Sequence, residues 1–414
     1  MESNARRGKM KNKAVLFLCQ YFYPENNSSA TLPFDTAKHL AKSGFCVDVI
    51  CGFPKEYTNQ VDVAKKETIS GVHISRIHYV QLSRKWKLGR LVNYFSFTIA
   101  ALFRLFEMRQ YRCIVTYSNP PILPIVPILA NILFGIKFLF VSYDVYPEIA
   151  YASGALTPGC LIDRIMRRLN RVLFKRATMI VALTDEMRDY LLNNRGQLTE
   201  DRVVTVPNWA HEEGQQNTSC ASFRSECIEK EPFIVSYIGN MGICQDMDTL
   251  ANAVECLKDS KSIQFRFVGH GNKVVALKRQ LGDYPNVEFY DFLTGAEYQR
   301  ITAESSCFVV SIERGLRGLC APSKYYSYML NRKPIVVIAE ENSYLMQEIV
   351  KRELGFGITN GDFEQLVQVV KYLMQNPQIN QEMGENAFHM YMEVYAKEHA
   401  FDAYVQVLRK ICCD

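Results

Sequence analysis

Short apolar runs alternate with amphipathic segments along the whole chain. The run 14–19 is continuously apolar, which is typical of a strand covered on both faces, and 45–51 predicts the next strand. Between them, apolar residues such as Phe34 and Leu40 recur at helical spacing, and Gly44 stands where a helix C-cap belongs. This order predicts a β-α-β unit with parallel strands, because such crossover connections are right-handed.

The same alternation continues through both halves of the chain. Further strands of the first half are predicted at 113–118, 137–144, 179–183 and 203–208. A polar stretch without a sustained period, 211–232, predicts an interdomain linker within it or just before it. Strands of the second half are predicted at 233–239, 265–271, 287–292, 307–313 and 334–340.

Each half of the chain thus contains a series of strands that alternate with helices. The two series predict an α/β fold of two doubly wound, Rossmann-like domains facing a central cleft. The predicted N-terminal domain spans 1–207 and the predicted C-terminal domain spans 208–395. Residues 396–414 are predicted to form a C-terminal helix that packs back toward the N-terminal domain.

The composition is that of a folded globular protein. The 414 residues are 48% apolar and 22% charged, with a formal net charge of +5. The first thirteen residues are basic but lack the apolar core of a signal peptide, and the thirteen cysteines include no C-x-x-C pair. We therefore expect a cytoplasmic protein with reduced thiols, no zinc site and no disulfide framework.

One apolar segment, 120–144, is long enough to be considered as a membrane span. It carries four prolines in its first half and Lys137 near its centre. These residues favour a buried helix that leads into a buried strand, with the prolines at 120 and 121 at the helix entry. No transmembrane helix is predicted.

Ligands of open α/β sheets bind beyond the carboxyl ends of the strands, and this rule selects four loops in the second half. They are 239–246, 269–273, 313–324 and 339–342. In the third loop, Lys324 follows Pro322 and Ser323 at a predicted helix start, where a cation opposes the positive end of the helix dipole. With Ser323 as the N-cap, an anion such as a diphosphate would satisfy both Lys324 and the free N–H groups. Alternatively, the lysine side chain extends into solvent.

Three further motifs follow predicted strand ends. In GNMG, 239–242, the glycines let backbone N–H groups approach an anion, although an ordinary tight turn explains the pattern equally well. In GHG, 269–271, His270 is expected to make loop hydrogen bonds rather than to act as a base. In DVYPE, Asp144 and Glu148 are candidates for orienting a hydroxyl or acting as a base, and Asp144 alternatively caps the next turn.

Two segments of the first half are basic and amphipathic. Segment 84–110 begins with cations and continues with a long aromatic and aliphatic face, and segment 162–177 has apolar residues at helical spacing among six cations. Either segment fits a helix lying on an anionic bilayer, and either fits equally well a core-packed helix with a solvated face. Nucleic acid is not expected as a partner, because no recognised binding module accompanies the charge.

The motifs and their order resemble those of a known enzyme family. They are QYFYPE, GVHISRIH, LVNYFSF, YSNPP, DVYPE, ASGAL, VPNW, YIGNMGICQDMDTL, FVGHG, APSK and MGENA. Together they span nearly the whole chain and resemble the retaining GT-B glycosyltransferases of family 4. The resemblance is strongest to the O-antigen and colanic-acid type that makes bacterial surface polysaccharides, and its specificity lies in order and spacing.

The resemblance implies a GT-B fold in which the C-terminal domain binds a nucleotide-sugar, usually a UDP-sugar. A hexosyl or N-acetylhexosaminyl group would pass with retention to a saccharide acceptor on the N-terminal domain, with a polyprenyl diphosphate-linked saccharide as the candidate. No metal or other cofactor is implied, because protein cations and helix starts balance the leaving diphosphate. The basic segments would then seat the protein on the cytoplasmic face of the inner membrane.

The resemblance also assigns residues. The donor-binding set is Gly239, Asn240, Gly242, Gln245, Gly269, Gly271, Pro322, Ser323, Lys324 and Ser327. The N-terminal loop set for the acceptor is Tyr21, Asn27, Ser28 and Glu148, and the catalytic candidates are Asp144, Glu313 and Lys324. The implied mechanism is a front-side displacement that depends on electrostatic stabilisation of the departing diphosphate.

Several positions depart from the family pattern. Leu319 and Ser327 stand where an E-x7-E motif would place its two glutamates, and Asn240 and Gln245 stand where Arg and Lys are common. The glycines usual in the first N-terminal loop are replaced by Asn-Asn-Ser-Ser at 26–29. The missing glutamates leave open a catalytically silent nucleotide-sugar-binding protein as an alternative. A second alternative is a UDP-sugar epimerase of the same two-domain architecture, which would act without an acceptor.

Overall fold

The computed structural model describes residues 14–55, 62–83, 87–152, 154–196, 198–210 and 232–413. The first thirteen residues, the first three residues of segment 84–110 and nearly all of the predicted linker lie outside the described residues. The chain divides into two compact units. The first unit runs to Asn208 and takes in residues 318–321 and the C-terminal helix, and the second unit comprises residues 209–317 and 322–396.

The first unit is built on an eight-stranded sheet. Its strands are β1 (Ala14–Leu18), β2 (Cys46–Gly52), β3 (Lys66–Ile69), β4 (Val72–Ile77), β5 (Cys113–Tyr117), β6 (Lys137–Ser142), β7 (Met179–Ala182) and β8 (Val203–Thr205). The strand order is β3-β4-β2-β1-β5-β6-β7-β8, and all neighbouring strands are parallel except the edge pair β3–β4. The apolar runs of β1 and β5 are buried throughout, as expected for strands covered on both faces.

The helices of the first unit connect these strands. They are α1 (Ser28–Lys42), α2 (Lys87–Leu102), α3 (Ile125–Phe134), α4 (Glu148–Ala152), α5 (Leu161–Arg176) and α6 (Asp185–Asn194), with 3-10 helices at Leu105–Gln110 and Glu200–Arg202. The C-terminal helix, Lys397–Cys413, packs on α1, β5 and β6 of the same unit. There the Lys137 ammonium donates to the Ile411 carbonyl at 3.1 Å, and His39 stacks on Phe401.

The second unit is a doubly wound domain with six parallel strands. They are β9 (Phe233–Ile238), β10 (Ile263–Val268), β11 (Val287–Tyr290), β12 (Cys307–Ser311), β13 (Ile335–Ala339) and β14 (Gly355–Thr359), in the order β11-β10-β9-β12-β13-β14. The helices are α7 (Asp248–Cys256), α8 (Val274–Leu281), α9 (Gly295–Glu304), α10 (Lys324–Met329), α11 (Tyr344–Lys351), α12 (Phe363–Gln375) and α13 (Pro377–Met390). A π-helical turn, Tyr391–Tyr395, follows α13.

Alternate residues of these strands enter two separate cores. Val235 and Phe267 pack in one core, whereas Ile238 and Phe308 pack in the other, as the period of two in a strand requires. Because the strands are parallel, the loops that follow β9, β10, β12 and β13 all leave the sheet at one edge. That edge carries the predicted donor loops.

The predicted fold class is confirmed, since both units are parallel α/β domains. The sequence analysis did not predict the edge hairpin β3–β4 or the last strand, β14. Strand β3 has only four residues with alternating exposure, and β14 contains Gly355 and Gly357, so neither shows a long continuous apolar run.

Segment 120–144 contains a ten-residue helix, α3, that leads into the buried strand β6, so the predicted helix and strand are confirmed. The helix is buried on one face only, because Ile132 and Leu133 near its end are exposed. The expected position of the prolines at 120 and 121 was wrong, because they occupy the turn before α3, which begins at Ile125. Within the described ranges, no helix combines the length and the apolar character needed to cross a bilayer.

Candidate active site

Two glycine-containing loops of the second unit interlock at the edge of the sheet. The Met241 N–H donates to the His270 carbonyl at 2.8 Å, and the Lys273 N–H donates to the Met241 carbonyl at 3.0 Å. Gly269 and Gly271 have φ values of +126° and +149°, and a Cβ atom at either position would overlap a carbonyl of the facing loop. Only glycine therefore allows this approach of loop 269–273 to loop 239–246.

Lys324 is the first residue of α10, and its side chain crosses to the end of β9. The ammonium donates to the Tyr237 hydroxyl and to the Asn240 carbonyl at 3.3 Å. It also lies 3.8 Å from the centre of the Tyr237 ring, within cation–π range. A Cβ atom built on Gly239 would lie 3.3 Å from Lys324 Cε. The lysine therefore lies against the glycine loop and does not extend into solvent.

The Lys324 ammonium has no negatively charged hydrogen-bond partner among the described residues. Burial lowers the pKa of Lys324 to about 7, because the charged form loses hydration. Its two hydrogen-bond partners, the Tyr237 hydroxyl and the Asn240 carbonyl, are neutral. A bound anion would favour the charged form and would raise the pKa of Lys324 again.

Helix α10 is held in place from two sides by tyrosine hydroxyls. The Tyr328 hydroxyl accepts from the Ile238 N–H and donates to the Ile238 carbonyl, both at 2.8 Å. The Tyr325 hydroxyl donates to the buried Glu348 carboxylate at 2.7 Å. Lys324, which precedes Tyr325 in the chain, is thereby presented to the glycine loop by a firmly seated helix.

The expected cap of this helix is only partly present. Ser323 occupies the N-cap position, but its backbone is helical and its side chain makes no capping hydrogen bond. The Pro322 carbonyl accepts from the Tyr325 N–H at 3.1 Å, which closes the first turn. Ser327 is half-buried on the same helix, and its carbonyl accepts from the Asn331 side chain.

The hydrogen bonds of the GNMG loop favour an ordinary tight turn over a set of free N–H groups, because three of its N–H groups have partners within the protein. The Gly239 N–H donates to the Val268 carbonyl, and the Met241 N–H donates to the His270 carbonyl. The Gly242 N–H donates to the Gln245 side-chain oxygen at 2.9 Å. Positive charge at this loop therefore comes from side chains, and Gln245 must turn aside before the Gly242 N–H can meet a ligand.

Glu313 follows β12 and forms an ion pair with Lys273 at 3.0 Å. Its N–H donates to the Cys244 carbonyl at 2.8 Å, and Lys273 also donates to the Gln245 carbonyl at 2.8 Å. The structure thus brings Glu313 beside the predicted glycine loop. The sequence analysis missed Lys273, although it precedes α8 as a cation at a helix start and so shows the same signal as Lys324.

The first unit contains the remaining catalytic candidate, Asp144, in the turn after β6. The Ser118 hydroxyl oxygen accepts from the N–H groups of Tyr143 and Asp144, both at 3.0 Å, and so fixes this turn. Asp144 lines a small cavity together with Asn170 and Phe174. Burial raises the pKa of Asp144 to about 6, which brings the carboxylate close to the range of a general base.

Glu148 is engaged within the first unit. Its two carboxylate oxygens accept from the Arg195 guanidinium at 2.9 and 2.6 Å, and the pair is largely buried. Arg195 also donates to the Tyr146 carbonyl at 3.2 Å. This geometry makes Glu148 an anchor for the DVYPE loop, and both oxygens of this predicted acceptor residue are already hydrogen-bonded to Arg195.

The other predicted residues of the N-terminal loop lie near the start of α1. Tyr21 is buried, whereas Ser28 is exposed at the first position of the helix. The Asn27 carbonyl accepts from the N–H groups of Ala30 and Thr31, while its side-chain nitrogen is buried without a hydrogen-bond partner. The Asn27 side-chain nitrogen therefore retains hydrogen-bonding capacity.

Among the residues that the structure describes, no three His, Cys, Asp or Glu side chains are grouped so that they could hold a metal ion.

Two family models match the chain, one in each unit. A glycosyl transferase 4-like domain matches residues 34–209, and a glycosyl transferases group 1 domain matches residues 232–376. Together they cover more than three quarters of the chain, and the architecture is that of the GT-B fold. The chain belongs to the group 1 family of GT-B glycosyltransferases, and it is a transferase.

Individual relatives agree with this assignment. A probable glycosyltransferase of Pseudomonas aeruginosa, WbjE, is 24% identical over 288 residues, which are 68% of this chain and 70% of WbjE. The structure of HepE from Anabaena in complex with UDP and glucose superposes with a TM-score of 0.68 and 14% identity, covering 96% of this chain and all of that chain.

A second similar structure is that of WaaG, a glycosyltransferase involved in lipopolysaccharide biosynthesis. It superposes with a TM-score of 0.67 and 14% identity, covering 95% of this chain and 99% of WaaG. At these identities, the likeness to HepE and WaaG establishes a shared fold.

Proposed function

We propose that this protein transfers a sugar from a UDP-sugar to a saccharide acceptor with retention of anomeric configuration. The observation that carries the proposal is the Lys324 ammonium, which lies against the glycine loop with only neutral hydrogen-bond partners. A nucleoside diphosphate supplies the negative charge that this position lacks. HepE, which shares the fold, has been solved with UDP and with UDP-glucose, and this supports a uridine donor.

The proposed chemistry is a front-side displacement. The bond between the anomeric carbon and the diphosphate oxygen breaks, and the acceptor oxygen bonds to the same face of that carbon. The acceptor proton passes to the departing phosphate, so no protein base is required. Lys324 stabilises the negative charge that develops on the leaving group, and this electrostatic stabilisation is the main catalytic contribution of the protein.

Two carboxylates are proposed to orient hydroxyl groups. Glu313 lies beside the donor loop, and its pairing with Lys273 holds the carboxylate in place. Asp144 belongs to the first unit, where we place acceptor binding together with Asn27. A carboxylate accepts a hydrogen bond from a sugar hydroxyl without having to remove its proton.

The proposed acceptor is a lipid-linked saccharide of bacterial surface polysaccharide synthesis, with a polyprenyl diphosphate carrier. The motif resemblance to O-antigen enzymes supports this assignment, and WaaG, which shares the fold, takes part in lipopolysaccharide biosynthesis. The transferred group is proposed to be a hexose or an N-acetylhexosamine.

The test is a transfer assay with UDP-hexoses and UDP-N-acetylhexosamines and a synthetic polyprenyl diphosphate-linked saccharide. We expect UDP release that depends on the acceptor and an α-linked product, identified by NMR, from an α-linked donor. Lys324→Ala should abolish turnover, whereas Lys258→Ala, at an exposed lysine of the same unit, should leave it unchanged. Isomerisation of the UDP-sugar to its epimer without any acceptor would instead identify an epimerase and contradict the proposal.

We also propose that the first unit docks on an anionic bilayer through an apolar patch flanked by cations. The apolar patch consists of Phe95, Ile99, Phe103, Phe106, Ile132 and Leu133. Phe103 is 84% exposed and Phe106 is 67% exposed, which is unusual for phenylalanine. The patch is continuous because α3 packs against α2 and against the 3-10 helix Leu105–Gln110, where Phe106 contacts Phe134.

The cations beside this patch favour an anionic lipid surface as its binding partner. Helix α5 packs against α3 and exposes Arg168, Arg171 and Lys175. Its apolar residue Ile165, which the sequence pattern would bury, is 58% exposed. Apolar wedges beside cations are the combination that binds an interface rich in anionic lipid, where each surface cation contributes about 1 kcal/mol.

Vesicle sedimentation tests the docking surface. We expect the wild-type protein to bind phosphatidylglycerol-containing vesicles and not phosphatidylcholine vesicles. Phe103→Ser combined with Phe106→Ser should abolish binding, and Arg168→Gln combined with Arg171→Gln should weaken it about thirtyfold. Val275→Ser, at an exposed apolar residue of the second unit, is the control. Equal binding to both vesicle types, or a dimer that the patch variant converts to monomer, would overturn the docking proposal.

A further inference from the structure

Tyr237, near the end of β9, makes three contacts that converge on Lys324. Its hydroxyl accepts from the Lys324 ammonium and donates to the Asn240 carbonyl at 3.0 Å. Its ring lies beneath the ammonium at 3.8 Å, and the side chain is almost fully buried. The tyrosine therefore joins the lysine to the backbone of the glycine loop.

The position of Tyr237 is itself fixed by the helix that carries the lysine. The next residue, Ile238, is hydrogen-bonded through both its N–H and its carbonyl to the Tyr328 hydroxyl of α10. Tyr328 in turn stacks on Phe308 of β12, with 4.4 Å between ring centres. Strand β9 and α10 are thus tied together at Tyr328, and the Lys324–Tyr237 contact lies beside this tie.

We propose that Tyr237 is a positioning residue that holds the Lys324 ammonium at the glycine loop for the diphosphate of the donor. The proposal rests on the proposed function, because it assumes that Lys324 receives a diphosphate. Tyr237 does not touch the donor in this account. It acts through the lysine, by supplying a hydrogen-bond acceptor and an aromatic face to a cation that has lost most of its hydration.

Ionisable side chains on the adjoining loops and on α10 have other partners. Lys273 and Glu313 on the adjoining loops pair with each other at 3.0 Å. On α10, the Tyr325 hydroxyl donates to Glu348, and the Tyr328 hydroxyl bonds to Ile238. Within the described residues, the groups placed directly on the Lys324 ammonium are the phenol of Tyr237 and the carbonyl of Asn240. Burial, which lowers the pKa of Lys324 to about 7, therefore makes its charge sensitive to the loss of one acceptor.

The variant Tyr237→Phe distinguishes the contribution of the hydroxyl from that of the aromatic ring. The variant retains the aromatic face but removes one acceptor from the buried ammonium, so the pKa of Lys324 should fall further. With UDP-glucose as the probe, we expect affinity to drop about tenfold near pH 7.5 and less than twofold near pH 5.5, where the lysine is charged in both proteins. Tyr237→Leu, which removes the ring as well, should lose affinity at both pH values.

Two measurements test the proposal. Calorimetry with UDP-glucose gives the affinities, and competitive acetylation followed by mass spectrometry gives the titration curve of Lys324 without any nucleotide. Tyr284→Phe is the matched control, because the Tyr284 ring lies 5.7 Å from the Lys258 ammonium in the same unit. We expect its Lys324 curve to match the wild type, and the Tyr237→Phe curve to shift to lower pH.

The outcomes separate this proposal from the proposed function. An unchanged Lys324 curve in Tyr237→Phe, or an affinity loss of equal size at both pH values, would overturn the positioning role. In a further outcome, wild type fails to bind UDP-glucose while the Lys324 titration curve of Tyr237→Phe shifts to lower pH as expected. That result would contradict the assignment of the donor but would support the interaction of Tyr237 with Lys324.

Discussion

At the scale of single residues, the candidate site depends on a lysine whose sequence position already looked unfavourable. A cation at a helix start opposes the helix dipole, and this identified Lys324 before any contact was known. The partner, Tyr237, could not be found in this way, because a tyrosine inside an apolar strand looks like an ordinary core residue. Its role depends on α10, which lies almost ninety residues further along the chain.

The charge of Lys324 predicts how donor use depends on pH. Above a pKa of about 7 the free enzyme loses the cation, so kcat/KM for the donor should fall about tenfold for each further pH unit. Lys324→Arg keeps its charge throughout the accessible range. Steady-state kinetics should show that this variant, whatever its absolute rate, lacks the decline at alkaline pH. An unchanged decline in Lys324→Arg would assign the titration to another group.

Asp144 predicts a pH-dependent stability of the first unit. Burial raises its pKa from 3.8 to about 6, so the native state holds this proton more tightly than the unfolded state does. The resulting stabilisation is fully present below pH 3.8 and is lost as the pH rises through about 6. From about pH 4 to about pH 7, wild type should lose up to about 3 kcal/mol relative to Asp144→Asn. Denaturant unfolding at several pH values measures this difference, and a difference independent of pH would contradict the account.

At the scale of secondary-structure elements, α10 is held by a cluster of phenols around one carboxylate. Besides Tyr325, the hydroxyls of Tyr344 and Tyr395 donate to Glu348, each at 2.6 Å. The carboxylate is buried, so its three donors replace the water it has lost. The cluster joins the short helix α10 to α11 and to the π-helical turn Tyr391–Tyr395.

Removing the carboxylate should therefore destabilise the second unit. Glu348→Leu leaves buried hydroxyls without an acceptor, at a cost of about 2–4 kcal/mol, whereas Tyr325→Phe removes one donor and should cost about 1 kcal/mol. Urea unfolding monitors both variants, with Glu341→Leu at an exposed site as the control. A Glu348→Leu protein as stable as wild type would show that the cluster does not secure α10.

The elements themselves were predictable to different degrees. Strands such as β1 and β12 are continuous apolar runs, and the pattern identified them because both faces are buried. The edge hairpin β3–β4 was missed because an edge strand is exposed on alternate residues. Ser323 was assigned a capping hydrogen bond from its residue type alone, but the backbone at this position is helical and turns the side chain away from that role.

At the scale of the whole molecule, the alternation of strands and helices was sufficient to predict two Rossmann-like domains, and this prediction is confirmed. Such alternation leaves few topologies open, because parallel strands require right-handed crossovers. The hydrogen bonds of the loops were not predictable. The Gln245 side chain accepts a hydrogen bond from the Gly242 N–H, and Arg195 forms an ion pair with Glu148. Both contacts depend on side-chain geometry that no periodic pattern encodes.

The most direct test of the central claim, a uridine diphosphate donor held at Lys324, is thermal stability with UDP, GDP, ADP, dTDP and CMP in turn. A ligand at about a hundred times its dissociation constant stabilises the native state by about 2.7 kcal/mol, which shifts the melting temperature measurably. We predict a stabilisation selective for UDP that disappears in Lys324→Ala and persists in Lys258→Ala. An equal UDP shift in Lys324→Ala, or no shift with any nucleotide in wild type, would contradict the claim.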